Sequence, residues 1–498
     1  MTRERFFKLF VPLLTVVASL LLGEAAARVS EPLWGDRKQP RLAPKETGVR
    51  RILFYGESTV FGTPVPSLGF VAQLRQYLRE QHPTTRFELV NLGAPGISST
   101  QLLERVRKTL RSDADLVFLA VGHNEFLNLK STGAPTSTLG GYSALYRSLG
   151  KLKTKIAPPK RDPNRVDPKY LEPVDRDSEY FLGRKRTLET NVAAIIRETK
   201  EAGVPLVIAT LGSNVKDWPP VFRRLPPTFR DTSYESLSAK ALDDLAAGRV
   251  DNARAFSDRM LRQHPADAMG LFVRGRVLLT EGKTAEAYEA LTAAKDADPM
   301  PWRAVTEFND AVARVAKADQ VSVIALPEAF AFATPGGSPG FELFCDNVHP
   351  TPEGNAVVAR LLLAEIEKRI AMTPGGSACC SLDRYWQHLG GDSAKRRILT
   401  EYTLRNGQYA MKPPFFSYPA ARMYFERADS LSPASWKAEI NLASVDLLEG
   451  KRERGVERLR QAKEHAAVAG KKIDARNLGD APYLWKALQT ARIQLDSL

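Results

Sequence analysis

The chain has 498 residues, 43% of them apolar and 26% charged, and 71 Lys and Arg against 57 Asp and Glu leave a net charge of +14. That length suits about three domains, and the composition excludes disordered, collagen-like and polytopic membrane classes. Three cysteines, Cys345, Cys379 and Cys380, are too few for a disulfide scaffold or a CxxC zinc pair. The basic balance by itself names no partner, because nucleic acid, anionic headgroups and acidic polysaccharide would all answer to it.

The first element is a targeting segment. Arg3, Arg5 and Lys8 precede an uncharged, largely apolar run from Leu9 to Leu22, and Ala25, Ala26 and Ala27 offer a small-residue cleavage site. The run is short for a spanning helix, Glu24 and Arg28 flank the alanines, and residues 1–30 are read either as a cleaved signal peptide or as a retained membrane anchor. Residues 31–48, interrupted by Pro32, Pro40 and Pro44, read as a linker. From Arg51 onward strand and helix patterns alternate. Ile52 to Tyr55 is an apolar run ending at Gly56, Phe70 to Arg79 has helical spacing, and Phe87 to Val90 is strand-like. A helix over Ser99–Leu110 then precedes the continuously apolar run Leu116 to Val121, which suits a buried parallel strand.

Phe126 to Asp177 shows no periodicity and reads as a long irregular cap. A helix over Arg186–Ala202, a strand over Pro205–Thr210, a loop over Gly212–Pro220, a strand over Val321–Leu326 and a closing helix from Thr351 and Pro352 to about Arg369 complete a doubly wound α/β sheet. Residues 231–303 interrupt it with a 34-residue period, seen in Gly248 and Gly282 and in Pro265 and Pro299. The interval Pro433 to Gly450 repeats that of Pro265 to Gly282, so residues 373–498 carry similar helix hairpins. Both segments resemble tetratricopeptide repeats, with a generic helical bundle as the alternative. The interrupted α/β domain occupies 49–230 and 304–372.

Four strand ends carry candidate chemistry. The first delivers Gly56-Glu57-Ser58, with Ser58 as candidate nucleophile or helix cap. The last leads to Cys345-Asp346-Asn347-Val348-His349-Pro350, where Asp346 lies close enough to orient His349 as a base. The other two, at Asn91-Leu92-Gly93 and at Gly122-His123-Asn124-Glu125, offer the Gly93 N–H and the Asn124 amide to a developing oxyanion. His123 is read as a supporting loop residue, and Phe61, Asp217 and Trp218 either as walls of a substrate pocket or as ordinary loop packing.

With these four blocks, residues 51–370 without the insertion resemble the SGNH/GDSL hydrolase family. The resemblance implies a flavodoxin-like three-layer α/β/α sandwich. It also implies a nucleophilic Ser58, a His349 base oriented by Asp346, and an oxyanion hole of the Ser58 and Gly93 N–H groups with Asn124. It implies no metal and no cofactor. Two positions depart from the family pattern: Glu57 and Glu125 stand where aspartates are usual. The expected function is an exported or membrane-anchored serine esterase acting on an ester substrate, whether small molecule, lipid or acylated envelope glycan. Its helical repeats would recruit a protein partner. An O-acyltransferase and a catalytically silent scaffold are the alternatives. Nucleic-acid binding has no motif to support it and conflicts with export.

Overall fold

The computed structural model describes residues 42–111, 113–126, 173–220, 232–370, 380–412, 417–473 and 481–494. The chain divides into two compact units, Met1–Pro44 with Asn128–Arg165 and Lys45–Leu127 with Val166–Leu498. The elements below belong to the second. The apolar run Leu9 to Leu22, most of the expected cap over Phe126–Asp177, and Cys379 lie outside the described residues. Among the described residues no helix is long and apolar enough to cross a membrane.

Five parallel strands, β1 (Val49–Gly56), β2 (Arg86–Asn91), β3 (Leu116–Ala120), β4 (Leu206–Thr210) and β5 (Ser322–Ala325), form one sheet in the order β2-β1-β3-β4-β5. This is the flavodoxin-like order, whose switch point lies between β1 and β3. Gly56, ending β1, pairs with Ala120, ending β3. The interior strands β1, β3 and β4 are almost wholly buried, as continuous apolar runs require, while β2 at the edge is mixed.

Helices cover both faces. After the one-turn α1 (Ser58–Phe61) come α2 (Phe70–Gln81), α3 (Ser99–Thr109) and α4 (Glu179–Glu201). The start of α3 is fixed by a capping box between Ser98 and Gln101. Helix α4 begins earlier than periodicity alone suggests, because Ser178 Oγ accepts the Phe181 N–H at 3.2 Å and opens a further turn. The insertion holds α5 (Thr232–Ala246), α6 (Val250–Gln263), α7 (Ala268–Thr280) and α8 (Thr284–Ala297), followed by α9 (Thr306–Ala318), α10 (Leu326–Ala333) and α11 (Pro352–Arg369). Leu326, expected in the last strand, starts α10 instead because Pro327 sits in its first turn. Thr351 caps α11 by accepting the Gly354 N–H.

Helices α2 and α11 pack on one face, with Phe54, Phe118 and Val207 in a shared core, while α3, α4 and α9 take the other. The result is a three-layer α/β/α sandwich.

The C-terminal helices are α12 (Leu382–His388), α13 (Gly391–Ala410), α14 (Tyr418–Leu431), α15 (Trp436–Leu448), α16 (Arg452–Val468) and α17 (Leu484–Ala491). Gly248, Gly282 and Gly450 close the hairpins α5–α6, α7–α8 and α15–α16 with φ of 74°, 74° and 79°, a left-handed turn that favours glycine. The insertion is fastened to the sandwich where it returns. Buried Lys295 donates to the Ala304 carbonyl at 3.0 Å and pairs with Asp296, while buried Arg303 donates to the carbonyls of Asn214 and Trp218.

Candidate active site

The sheet's carboxyl edge assembles the residues that the strand-end motifs single out. The chain turns from Gly56 directly into α1, so Ser58 stands at the switch point with its N–H in a first turn that supplies no intrahelical acceptor. Ser58 Oγ lies 2.7 Å from His349 Nε2, and His349 Nδ1 lies 2.5 Å from Asp346 Oδ2. The carboxylate keeps the ring proton on Nδ1, which leaves Nε2 to accept the serine hydroxyl. Asp346 is itself fixed, since Oδ1 accepts the N–H groups of Val348 at 2.8 Å and His349 at 2.7 Å. The loop closes through a bridge between Phe344 and Pro350, and the Cys345 N–H donates to the His349 carbonyl. Ser58 is 9% exposed and His349 and Asp346 4% each, so the serine is the side chain of the three that solvent reaches most.

The expected oxyanion donors lie beside this triad, two of them already engaged. The Gly93 N–H donates to Asn91 Oδ1 at 3.0 Å, because Asn91 folds back in an Asx turn while its Nδ2 donates to the Val60 carbonyl at 2.8 Å. Only glycine fits at 93, where a Cβ would stand 2.5 Å from the Phe61 nitrogen. Asn124 Nδ2 donates to the Ile97 carbonyl at 3.1 Å, which leaves its second amide proton for a ligand.

Glu57 has a role that spacing alone does not reveal. Its buried carboxylate accepts the N–H groups of Gly122 and Asn124 on one oxygen and of His123 on the other, at 3.1–3.2 Å, pinning the β3 loop to the nucleophile's turn. Burial pushes this carboxyl up to about 8; the Glu125 charge adds to the rise and the three donors oppose it. Glu125 accepts both the N–H and the hydroxyl of Ser99, and its carbonyl accepts Arg184 Nε at 2.6 Å. Both glutamates therefore act as loop anchors.

The C-terminal helices reach this site, which the sequence reading did not foresee. The Tyr409 ring on α13 meets the His349 ring edge-on at 5.9 Å, and the Tyr424 hydroxyl on α14 donates to the Cys345 carbonyl at 2.7 Å. Cys345 shares a buried cluster with Leu68, Trp386, Tyr402 and Tyr424. Tyr402 and Tyr409 are seven residues apart on one helix, a spacing that puts both on one face.

Of the three pocket residues, Phe61 is 38% exposed beside the nucleophile. Asp217 pairs with Arg276 at 2.8 Å and accepts the Phe341 N–H. Trp218 is buried against Leu404, Met411 and Phe425, within the C-terminal helical core. His123 is buried and accepts the Ala304 N–H on Nδ1 at 2.9 Å. Among the described residues no three His, Cys, Asp or Glu side chains converge as a metal site requires.

No protein-family model matches the sequence, and no curated relative does. Among solved structures the chain is similar to an acetyl xylan esterase at 13% identity and a TM-score of 0.33, over 64% of this chain and 99% of that one. It is similar also to the lipase/acylhydrolase from Enterococcus faecalis, at 14% identity and a TM-score of 0.31, over 66% of this chain and 100% of the other. A GDSL-like lipase from Bacteroides thetaiotaomicron aligns at 12% identity and a TM-score of 0.32, over 66% of this chain and 92% of its own.

Proposed function

We propose that the protein is a serine hydrolase of the SGNH/GDSL type that cleaves ester bonds through an acyl-serine. The observation that carries this reading is the hydrogen-bonded line Ser58–His349–Asp346 at a sheet edge, with contacts of 2.7 and 2.5 Å. His349 Nε2 takes the hydroxyl proton as Ser58 Oγ attacks the ester carbonyl. The same proton then passes to the departing alkoxide, which leaves as the alcohol. Water, deprotonated in turn by His349, attacks the acyl-serine; the acid departs and the proton returns to Ser58. The Ser58 N–H and the Asn124 amide hold the oxyanion, and the Gly93 N–H joins them once the carbonyl oxygen replaces Asn91 Oδ1.

The substrate is an ester of a cell-envelope glycan or lipid, encountered outside the cytoplasm. The basic start and apolar run of residues 1–30 support that location, as signal or anchor. The tetratricopeptide-like hairpins carry a protein partner.

The test compares wild type with Ser58→Ala for hydrolysis of p-nitrophenyl acetate and for labelling by a fluorophosphonate. Turnover and labelling in wild type alone are expected. A folded wild type showing neither would remove the reading, and acyl transfer to an added sugar without release of acid would replace the hydrolase by an O-acyltransferase.

A further inference from the structure

A groove of about 940 Å³ lies between the α1–α2 connection, at Val65, Pro66 and Ser67, and the C-terminal helices α13 to α15. Arg396, Arg397, Arg405 and Lys437 line it against two acids, Asp392 and Glu401. Arg405 is taken up by Glu401 at 2.8 Å. Arg396 and Arg397 are exposed, and their guanidinium groups have no acidic partner among the described residues.

Pro66 and Ser67 also line a second hollow of about 470 Å³, together with Arg75, Arg79, His388 and Asn91. Asn91 is the residue that binds the Val60 carbonyl and the Gly93 N–H. This basic trough has its unpaired arginines on α13, and the α1–α2 connection that forms its other wall follows the nucleophile's turn in the chain.

We propose that this trough binds an anionic glycan, a sugar chain bearing carboxylates. The proposal rests on the esterase reading and specifies its substrate class. Guanidinium groups recognise carboxylates with paired, charge-assisted hydrogen bonds. Between them Ser393, Thr400, Ser432 and Ser435 supply hydroxyls that match ring hydroxyls, over a floor that includes Ile398 and Leu404. The larger groove has no aromatic lining residue, so the stacking platform that single-stranded nucleic acid needs is missing there.

The test uses the full chain carrying Ser58→Ala, so that ligand is bound and not turned over, and measures binding of de-esterified oligogalacturonate and of a neutral xylo-oligosaccharide of equal length. The charged oligomer is expected to bind, more weakly as salt rises, and the neutral one to bind far less. Arg396→Gln with Arg397→Gln in the same chain should weaken oligogalacturonate at least about tenfold. Equal binding of the two oligosaccharides, unchanged affinity in the double variant, or equally tight binding of an oligonucleotide of the same charge would each overturn the proposal. Turnover of p-nitrophenyl acetate by the wild-type chain reports on the esterase reading alone. Its absence with oligogalacturonate binding retained would remove the enzyme and keep the binding trough.

Discussion

His123 and Glu57 are titratable groups buried side by side behind the nucleophile, and burial drives both toward neutrality. Burial holds His123 down to about 3, helped by the charges of His349, Lys295 and Arg303. Its folded value lies below the ordinary 6.5, so the native state binds fewer protons than the unfolded chain between those values. The stability it contributes is complete above about pH 6.5 and is lost as pH falls toward about 3. Glu57, raised to about 8, has the opposite slope, losing its contribution as pH rises through that value. His123→Gln keeps an acceptor for the Ala304 N–H but does not titrate. Urea unfolding at about pH 7 and about pH 5 should show a smaller acid loss in the variant than in wild type, and equal losses would remove His123 as the cause.

The grouping of Ser58, Asp346 and His349 was legible at this scale because Ser58 directly follows β1 and the Asp-x-x-His turn directly precedes the closing helix α11, although α10 separates that turn from β5. The grip of Asn91 on Gly93 was not, because an Asx turn depends on a side-chain rotamer that no spacing records. Nor was the placement of Asp217 and Trp218, whose partners Arg276 and Phe425 are distant in sequence.

Between elements, the decisive contact is the one that α13 and α14 make with the loop carrying Asp346 and His349. Tyr424→Phe removes the donor to the buried Cys345 carbonyl and should cost about 1–2 kcal/mol of stability. A loosened loop should also lower kcat on p-nitrophenyl acetate with little change in KM. Thermal melting and steady-state kinetics on the same preparation check both, and an unchanged kcat would show that the loop holds its shape without α14. Continuous apolar runs made β1, β3 and β4 readable, and the 34-residue spacing made the hairpins readable. The attachment of those hairpins was not readable, since the bond from Tyr424 to Cys345 spans 79 residues.

For the whole molecule, the consequence is that the C-terminal helices complete the α/β domain. Trp218, Leu68 and Cys345 all have their cores there. A chain ending at residue 372 would bare these side chains, and it should yield little soluble protein and no fluorophosphonate labelling, whereas full-length protein is expected to label at Ser58. Normal labelling of the truncated chain would show that the sandwich stands alone. The doubly wound sheet followed from the alternation of elements, but the membership of residues 380–494 in the same body did not, because helical periodicity does not say what a helix packs against.

Ser58 and His349 are 291 residues apart in the chain. During synthesis the nucleophile emerges well before its base, and at ribosomal speeds the interval is roughly 15–60 s. Throughout that interval the serine is an ordinary alcohol, unable to attack any ester it meets. Because the loop bearing His349 is contacted by Tyr409 and Tyr424, its final packing waits further, for α13 and α14. Chain order thus acts as a timer, holding Ser58 apart from its base until most of the chain has been made.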